Sequence, residues 1–205
     1  MRVLLIGFGP FPGAPFNPSA MLVKALARRR RPALADIVRA THVLATTYAA
    51  VERDLPTLFA AKPDVVLMFG LAGRRRQLCI ETRARNAISV LYPDAGGHRP
   101  QRGAIAPGGQ PALRAAAPFA YLLGALRGSR ISARLSRDPG RYLCNYAYWR
   151  ALERVRNERP LVQFVHIPAV RIAPRRQSRR HLPSLALLVT AAETLLIALI
   201  AASRR

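Results

Sequence analysis

Short apolar runs alternate along the first third of the chain with stretches in which apolar positions recur every three or four residues. Residues 3–8 form a compact apolar run and predict a strand. Asn17-Pro18-Ser19 then opens a helix reaching about Arg29, with Met21, Leu22, Ala25 and Leu26 on its inner side. Residues 37–44 predict a second strand, and residues 51–60 a helix interrupted or bent near Pro56. The uninterrupted apolar run at residues 65–69 fits a strand buried on both faces. This βαβαβ alternation predicts a three-layer α/β/α sandwich around a central, mostly parallel mixed sheet.

Further along, residues 87–92 predict a strand, followed by a glycine- and proline-rich connection over residues 93–109. Residues 112–126 are helical in pattern despite Pro118, and residues 131–135 predict a short strand. Asp138-Pro-Gly140 is a strong turn signal. A helix starting around Cys144 and ending near Glu158 leads to a strand over residues 161–168, with His166 near its end. The apolar stretch at residues 185–202 has the length of a membrane span. It contains Glu193, whose burial in hydrocarbon is costly, so the pattern predicts a helix docked on the sheet and no membrane insertion.

The length of 205 residues and the 51% apolar composition suit one domain, residues 1–205, with a core of ordinary size. Two cysteines do not make a disulfide scaffold, so free thiols in the cytoplasm are expected, although a Cys79–Cys144 bridge stays open. Histidines at 42, 98, 166 and 181 share no ligand spacing with each other or with the cysteines, so no metal cluster is expected. The formal charge of +23 brings polyanions into view. Of the 33 basic residues only Lys24 and Lys62 are lysines, and the arginines are spread along the chain without aromatic interleaving. Non-specific adhesion to polyanions is therefore the expected consequence, with a dedicated polyanion-binding role as a separate alternative.

Three residues carry candidate chemistry. Cys144 falls at or near a helix start, where unpaired backbone N–H groups favour a thiolate, so its thiol pKa is expected to fall; a buried structural cysteine is the other reading. His166 is either a core histidine or a base hanging over the same sheet edge. Glu81 lies among Arg74, Arg75, Arg76, Arg83 and Arg85, and is either a salt-bridged surface residue or the acid behind that base. A cysteine nucleophile needs a neighbouring base, and the base needs an orienting acceptor. The loop Gly7-Phe-Gly-Pro-Phe-Pro-Gly13 lacks dinucleotide-fingerprint spacing; it either holds Phe8 and Phe11 over an apolar pocket or packs as a structural turn.

The chain resembles the pyroglutamyl-peptidase I family, the pyrrolidone-carboxylate peptidases. The resemblance runs through Gly7-Phe-Gly-Pro-Phe11 with Asn17-Pro18-Ser19, and Gly70-Leu-Ala-Gly73 to Glu81, Ala84 and Asn86. It continues through Pro93-Asp94 with Pro100, Gly140-x-Tyr-Leu-Cys144-Asn-x-x-Tyr148, and Phe164-Val-His166-Ile-Pro168. It implies a cysteine exopeptidase that removes N-terminal pyroglutamate from peptides through a thioester, without cofactor or metal. Cys144 is then the nucleophile, His166 the general base and Glu81 the acidic third member. Phe8, Phe11, Asn17 and Leu71 fall at positions implied to bind substrate, and homo-oligomers are implied. Thr82, Arg83 and Arg85 depart from the family pattern; the last two replace apolar residues, and either stands close enough in sequence to capture Glu81. A catalytically impaired binding or assembly protein is the alternative that those departures leave.

Overall fold

The computed structural model describes residues 1–156, 160–171 and 182–205. A six-stranded mixed sheet runs through its centre. In chain order its strands are β1 (Arg2–Phe8), β2 (Val38–Leu44), β3 (Val65–Leu71), β4 (Leu78–Glu81), β7 (Ala133–Ser136) and β8 (Leu161–Ile167), arranged in space as β2-β1-β3-β8-β4-β7. All neighbouring pairs are parallel except β4 with β8. Strands β5 (Arg83–Arg85) and β6 (Ala112–Arg114) form a separate antiparallel pair.

Helices cover both faces, as the alternation predicts. Helices α1 (Pro18–Ala27), α3 (Phe119–Ala125) and α5 (Leu185–Ser203) pack through Leu22, Leu26, Leu122, Leu196 and Leu199 on Val3, Leu5, Leu67, Phe69, Val165 and Ile167. Helices α2 (Tyr48–Ala60) and α4 (Leu143–Arg154) pack through Val51, Leu55, Leu143 and Leu152 on the alternate residues Leu4, Ile6, Met68 and Phe164. Successive strand side chains point to opposite faces, so these apolar strands fill both layers at once.

Three expectations are corrected. Residues 87–92 form an irregular segment, and residues 112–126 divide into strand β6 and helix α3, separated at Pro118, whose ring disfavours a continuous helix through the preceding residue. Helix α2 begins earlier than its apolar pattern, at a Thr47 cap, and runs through Pro56 unbroken. Strand β4 is hidden in the sequence by its arginine-rich surroundings. The predicted end of the fourth helix near Glu158 lies outside the described residues, α4 itself ending at Arg154.

The apolar helix α5 is long enough to cross a membrane but packs on the sheet and on α1 and α3, burying its central residues. Glu193 is 3% exposed and is engaged by Arg29 and Arg31 from the segment after α1, at 3.2 and 3.3 Å. The partner that the isolated tail sequence does not reveal is thus supplied from more than 160 residues away.

Candidate active site

The carboxyl ends of β3 and β8 place Gly70 directly beside His166, their Cα positions being paired across the parallel ladder. On the other side of β8, the antiparallel strand β4 sets Glu81 opposite Phe164, two residues from His166 along the same face. Side chains diagonal across an antiparallel pair come within reach of one another when they are long. Glu81 Oε1 meets His166 Nδ1 at 2.8 Å, with Glu81 completely buried and His166 5% exposed. The Glu81 main chain is pinned in turn, its carbonyl accepting from Tyr148 Oη and Gln163 Nε2 at 2.9 Å each.

Cys144 arrives from above this face. The turn before it needs Gly140 at φ +84°, a conformation that glycine adopts without strain. Asp138 Oδ1 accepts from the Gly140 N–H at 3.2 Å and closes the turn. Tyr142 is the residue at the helix cap and Cys144 the second residue of α4. A methyl group at Gly70 would stand 2.7 Å from Cys144 Sγ and 2.7 Å from Phe164 Cζ. Only hydrogen at that position leaves space for the sulfur, which therefore lies over the strand position paired with His166. Asn145, fully buried, ties the helix start to the irregular segment: it accepts from the Arg85 N–H and donates to the Arg85 and Ala87 carbonyls, all at 2.8 Å.

The electrostatics differ from the sequence expectation at the sulfur. Burial pushes the Cys144 thiol up to about 12, and the neighbouring Glu81 charge adds to this; its own backbone N–H and Arg75 pull the other way without prevailing. The residue as a whole is half-buried, but its sulfur is enclosed by Gly70 and Phe164, and those surroundings govern the acid. Desolvation thus outweighs the helix N-terminus, and the expected fall in thiol pKa is overturned. For Glu81, burial alone would raise the carboxyl. The hydrogen bond and charge of His166, the Ser136 hydroxyl and the Arg75 charge together hold it below the usual carboxylate value.

Arg75 is the residue that sequence reasoning missed. Its Nη1 donates to Glu81 Oε1 at 2.7 Å and its Nη2 to the Asp138 carbonyl at 2.6 Å, joining the acid to the turn that carries Cys144. Arg83 and Arg85, expected as captors of Glu81, bond instead to the Arg137 carbonyl and to Asp138 Oδ1. Strand β5 alternates around a buried Ala84, so both arginines project from its more exposed side and leave the core apolar. Five arginines near one glutamate give no sign, in sequence, of which one reaches it.

The four remaining candidates take different places. Phe8 is 1% exposed and packs on Phe164, their centroids 6.1 Å apart; the Phe164 ring lies 4.9 Å from that of His166. Phe11 is only partly buried and tilts against Tyr142 at 6.2 Å. Asn17 turns its side chain into its own loop, donating to the Gly9 carbonyl at 3.0 Å and accepting from the Ser19 N–H and hydroxyl. Leu71 ends β3, paired with Ile167. Both cysteines are free, which closes the question of a Cys79–Cys144 bridge.

A sulfur over the strand position paired with an imidazole, and that imidazole backed by a buried carboxylate, near the carboxyl ends of central strands of an α/β/α sheet, is an arrangement suited to a hydrolase of the cysteine type. The pyroglutamyl peptidase family model matches residues 1–205. The pyrrolidone-carboxylate peptidase of Thermococcus kodakarensis is 33% identical over 171 residues, 82% of this chain and 81% of that protein. That of Vibrio vulnificus is 32% identical over 186 residues, 91% of this chain and 85% of its own length. Among solved structures, pyroglutamyl peptidase I of Bacillus amyloliquefaciens superposes with a TM-score of 0.81 at 26% identity, covering 100% of this chain and 97% of its own. A mutant pyrrolidone carboxyl peptidase from the hyperthermophile Pyrococcus furiosus reaches 0.86 at 27% identity, covering 99% of this chain and 100% of its own. The chain belongs to the pyroglutamyl peptidase family, and it is a cysteine peptidase.

Proposed function

We propose that this protein removes N-terminal pyroglutamate from peptides, with Cys144 as nucleophile, His166 as general base and acid, and Glu81 as the group that orients and stabilises the imidazolium. The observation that carries this reading is the buried Glu81–His166 hydrogen bond of 2.8 Å beside a strand position kept open for the Cys144 sulfur by Gly70. With Nδ1 held by Glu81, His166 presents Nε2 to the thiol. Because burial raises that thiol, the sulfur rests protonated, and its proton moves to His166 as the sulfur attacks. Sulfur bonds to the acyl carbon of the 5-oxoproline, the imidazolium protonates the departing amine, and the C–N bond breaks. Water then attacks the thioester with His166 taking its proton, releasing pyroglutamate and restoring the thiol.

The first-turn N–H groups of α4 have no acceptor within the helix and supply donors for the oxyanion. The neutral lactam ring binds at the loop of Phe8 and Phe11, with backbone at Leu71 as partner for its amide. Asn17 acts by holding that loop in shape. Two free thiols suit a reducing compartment, and the cytoplasm is assigned on that ground. The test is release of aminomethylcoumarin from its pyroglutamyl amide, with Cys144→Ser as control. Activity in the wild type and its loss in the variant are expected; a folded wild-type protein inert toward pyroglutamyl amides and peptides would overturn the reading.

A further inference from the structure

Val90, Leu91 and Tyr92 stand 42, 71 and 65% exposed in succession, whereas elsewhere among the described residues the large exposed apolar side chains are single. A contiguous apolar patch of this kind on a protein surface marks a contact site. The patch is held in place at both ends. The Ala87 carbonyl accepts from Asn145 Nδ2, the Ile88 N–H donates to the Gly103 carbonyl and the Ser89 N–H to the Arg141 carbonyl, and the Pro93 carbonyl accepts from Tyr142 Oη at 2.8 Å. All but Gly103 among those partners belong to residues 141–145, the segment that carries Cys144.

An open groove of about 450 Å³ lies between this segment and the start of α4, lined by Ile88, Val90, Leu91, Tyr92, Arg141 and Tyr142. It adjoins the reacting sulfur. Tyr142 precedes Cys144 by two residues, a chain span of roughly 7 Å at most. Burial raises the Tyr142 phenol, and the charges of Asp94 and of an ionised Cys144 add to this, so ring and sulfur lie within electrostatic reach of each other. The same ring tilts against Phe11, 6.2 Å away, in the loop assigned to the lactam. One aromatic side chain therefore borders both the lactam loop and the groove.

Pyroglutamate has no residue before it, so every further contact with a peptide falls on the leaving side, beginning with the residue whose amine departs. We propose that the groove receives the side chain of that residue and selects apolar ones, with Val90 and Leu91 as its specificity-determining side chains. This inference rests on the peptidase reading. Successive Cα atoms of a peptide are about 3.8 Å apart, so a side chain one residue beyond the lactam reaches a groove that shares Tyr142 with the lactam loop. Charge sets a second preference. Arg141 lines the groove and none of its described lining residues is acidic, so a lysine or arginine after the pyroglutamate would meet a like charge without a partner.

Pyroglutamate release from pyroglutamyl-leucyl-glycine, pyroglutamyl-alanyl-glycine and pyroglutamyl-lysyl-glycine tests it on wild type, Leu91→Ser and Val38→Ser. Val38 is comparably exposed but opens β2, at the amino end of the sheet and away from the sulfur. In the wild type kcat/KM for the leucyl peptide should exceed that for the alanyl peptide roughly tenfold, the low end for added methylenes in an apolar site, and the lysyl peptide should fall below both. Leu91→Ser should cut the leucyl preference to about twofold or less, while Val38→Ser keeps it. 2-Pyrrolidone, a lactam ring without a peptide, should inhibit all three proteins alike. Equal rates on the three peptides in the wild type, a leucyl preference that survives in Leu91→Ser, or weaker 2-pyrrolidone inhibition in that variant alone would each overturn the proposal; the last would put the lactam itself in the groove. So would a changed oligomeric state of Leu91→Ser on sedimentation with the preference intact, which would make the patch a contact between copies. A folded wild type inert on every peptide overturns the peptidase reading and this inference with it, whereas activity without discrimination overturns the inference alone. Circular dichroism guards against misfolding, and where Leu91→Ser fails to fold, Val90→Ser is measured by the same criteria.

Discussion

The Glu81 carboxylate reaches the His166 ring diagonally across the β4–β8 pair, at 2.8 Å, while its direct cross-strand partner is Phe164. Replacing Glu81 by Gln keeps an acceptor for Nδ1–H but removes the charge that would face an imidazolium. We expect kcat to fall by about 10²- to 10⁴-fold, the scale of acid–base assistance, with a much smaller change in KM. Equal losses in kcat and in pyroglutamyl-ligand affinity would instead mark Glu81 as a binding residue.

The same carboxylate gives a pH dependence of stability. Its folded pKa is depressed, so in the acid window the unfolded chain binds the proton more readily and stability rises with pH there. The contribution is complete above the ordinary glutamate value, about 4.3, and is lost as pH falls toward the lower folded value. Urea midpoints of wild type and Glu81→Gln should therefore converge between about pH 5 and pH 3. A gap that widens on acidification contradicts the assignment.

Gly70→Ala tests the slot for the sulfur. The new methyl would meet Cys144 Sγ and Phe164 Cζ at 2.7 Å, so the side chains must shift. Overpacking of this kind costs about 1–3 kcal/mol, and a displaced nucleophile about 10²-fold in rate. Gly7→Ala is the comparison, because its methyl would strike the Ser19 backbone at 2.7 Å, near α1 rather than near the sulfur. Denaturation should show both variants destabilised. Kinetics on the remaining folded protein should show a large loss in kcat for Gly70→Ala alone.

Thiol labelling separates the two views of Cys144. In His166→Ala no imidazole can take the proton, and burial holds the thiol near 12, so iodoacetamide should label Cys144 slowly until well above about pH 8.5. Wild type should label faster at neutral pH, by proton transfer to His166. Cys79 is fully buried and should be spared in both. Rapid neutral labelling of the His166→Ala protein would show that the helix start alone activates the sulfur.

That misjudged acidity illustrates what the sequence holds and what it conceals. Strands β1, β3 and β8 are legible because they are continuous apolar runs, and α1 because Asn17-Pro18 announces its cap. The candidate residues stand out by type and by family resemblance. Strand β4 does not, since Leu78–Glu81 becomes a strand through pairing with β8, more than 80 residues away. Residues 87–92 have strand composition, but Asn145 takes the Ala87 carbonyl and Arg141 the Ser89 N–H, bonds a ladder would require. Arg75 and the enclosure of the sulfur are likewise products of long-range packing. No local pattern encodes them.

Arg75 positions Glu81 rather than touching the reacting atoms, and conservative exchange should reveal this. Lysine keeps the charge but cannot span Glu81 and the Asp138 carbonyl with two prongs of one planar group. Arg75→Lys should therefore retain more activity than Arg75→Ala, both losing kcat with KM little changed. In Arg75→Ala one of the groups depressing Glu81 is gone, so the loss of stability on acidification that Glu81 causes should set in at higher pH. An arginine that does not act on Glu81 would lower stability equally across pH and leave that onset in place.

Glu193 poses the opposite question, whether a buried ion pair stabilises the fold at all. Its side chain is 5% exposed, but those of Arg29 and Arg31 are 38% and 54% exposed. Removing the carboxylate lets both arginines return to water, so the penalty of about 3–5 kcal/mol for stranding a buried charge does not apply to them. Leucine would place an apolar side chain against a layer already rich in leucine and relieve the desolvation of the glutamate. We expect Glu193→Leu to change stability by no more than about 1 kcal/mol in either direction, and Glu193→Ala to cost about 2 kcal/mol more through the cavity it leaves. Guanidinium denaturation of the two variants checks this. A loss of several kcal/mol in the leucine variant would mean that the ion pair, rather than packing, holds α5 against the segment after α1.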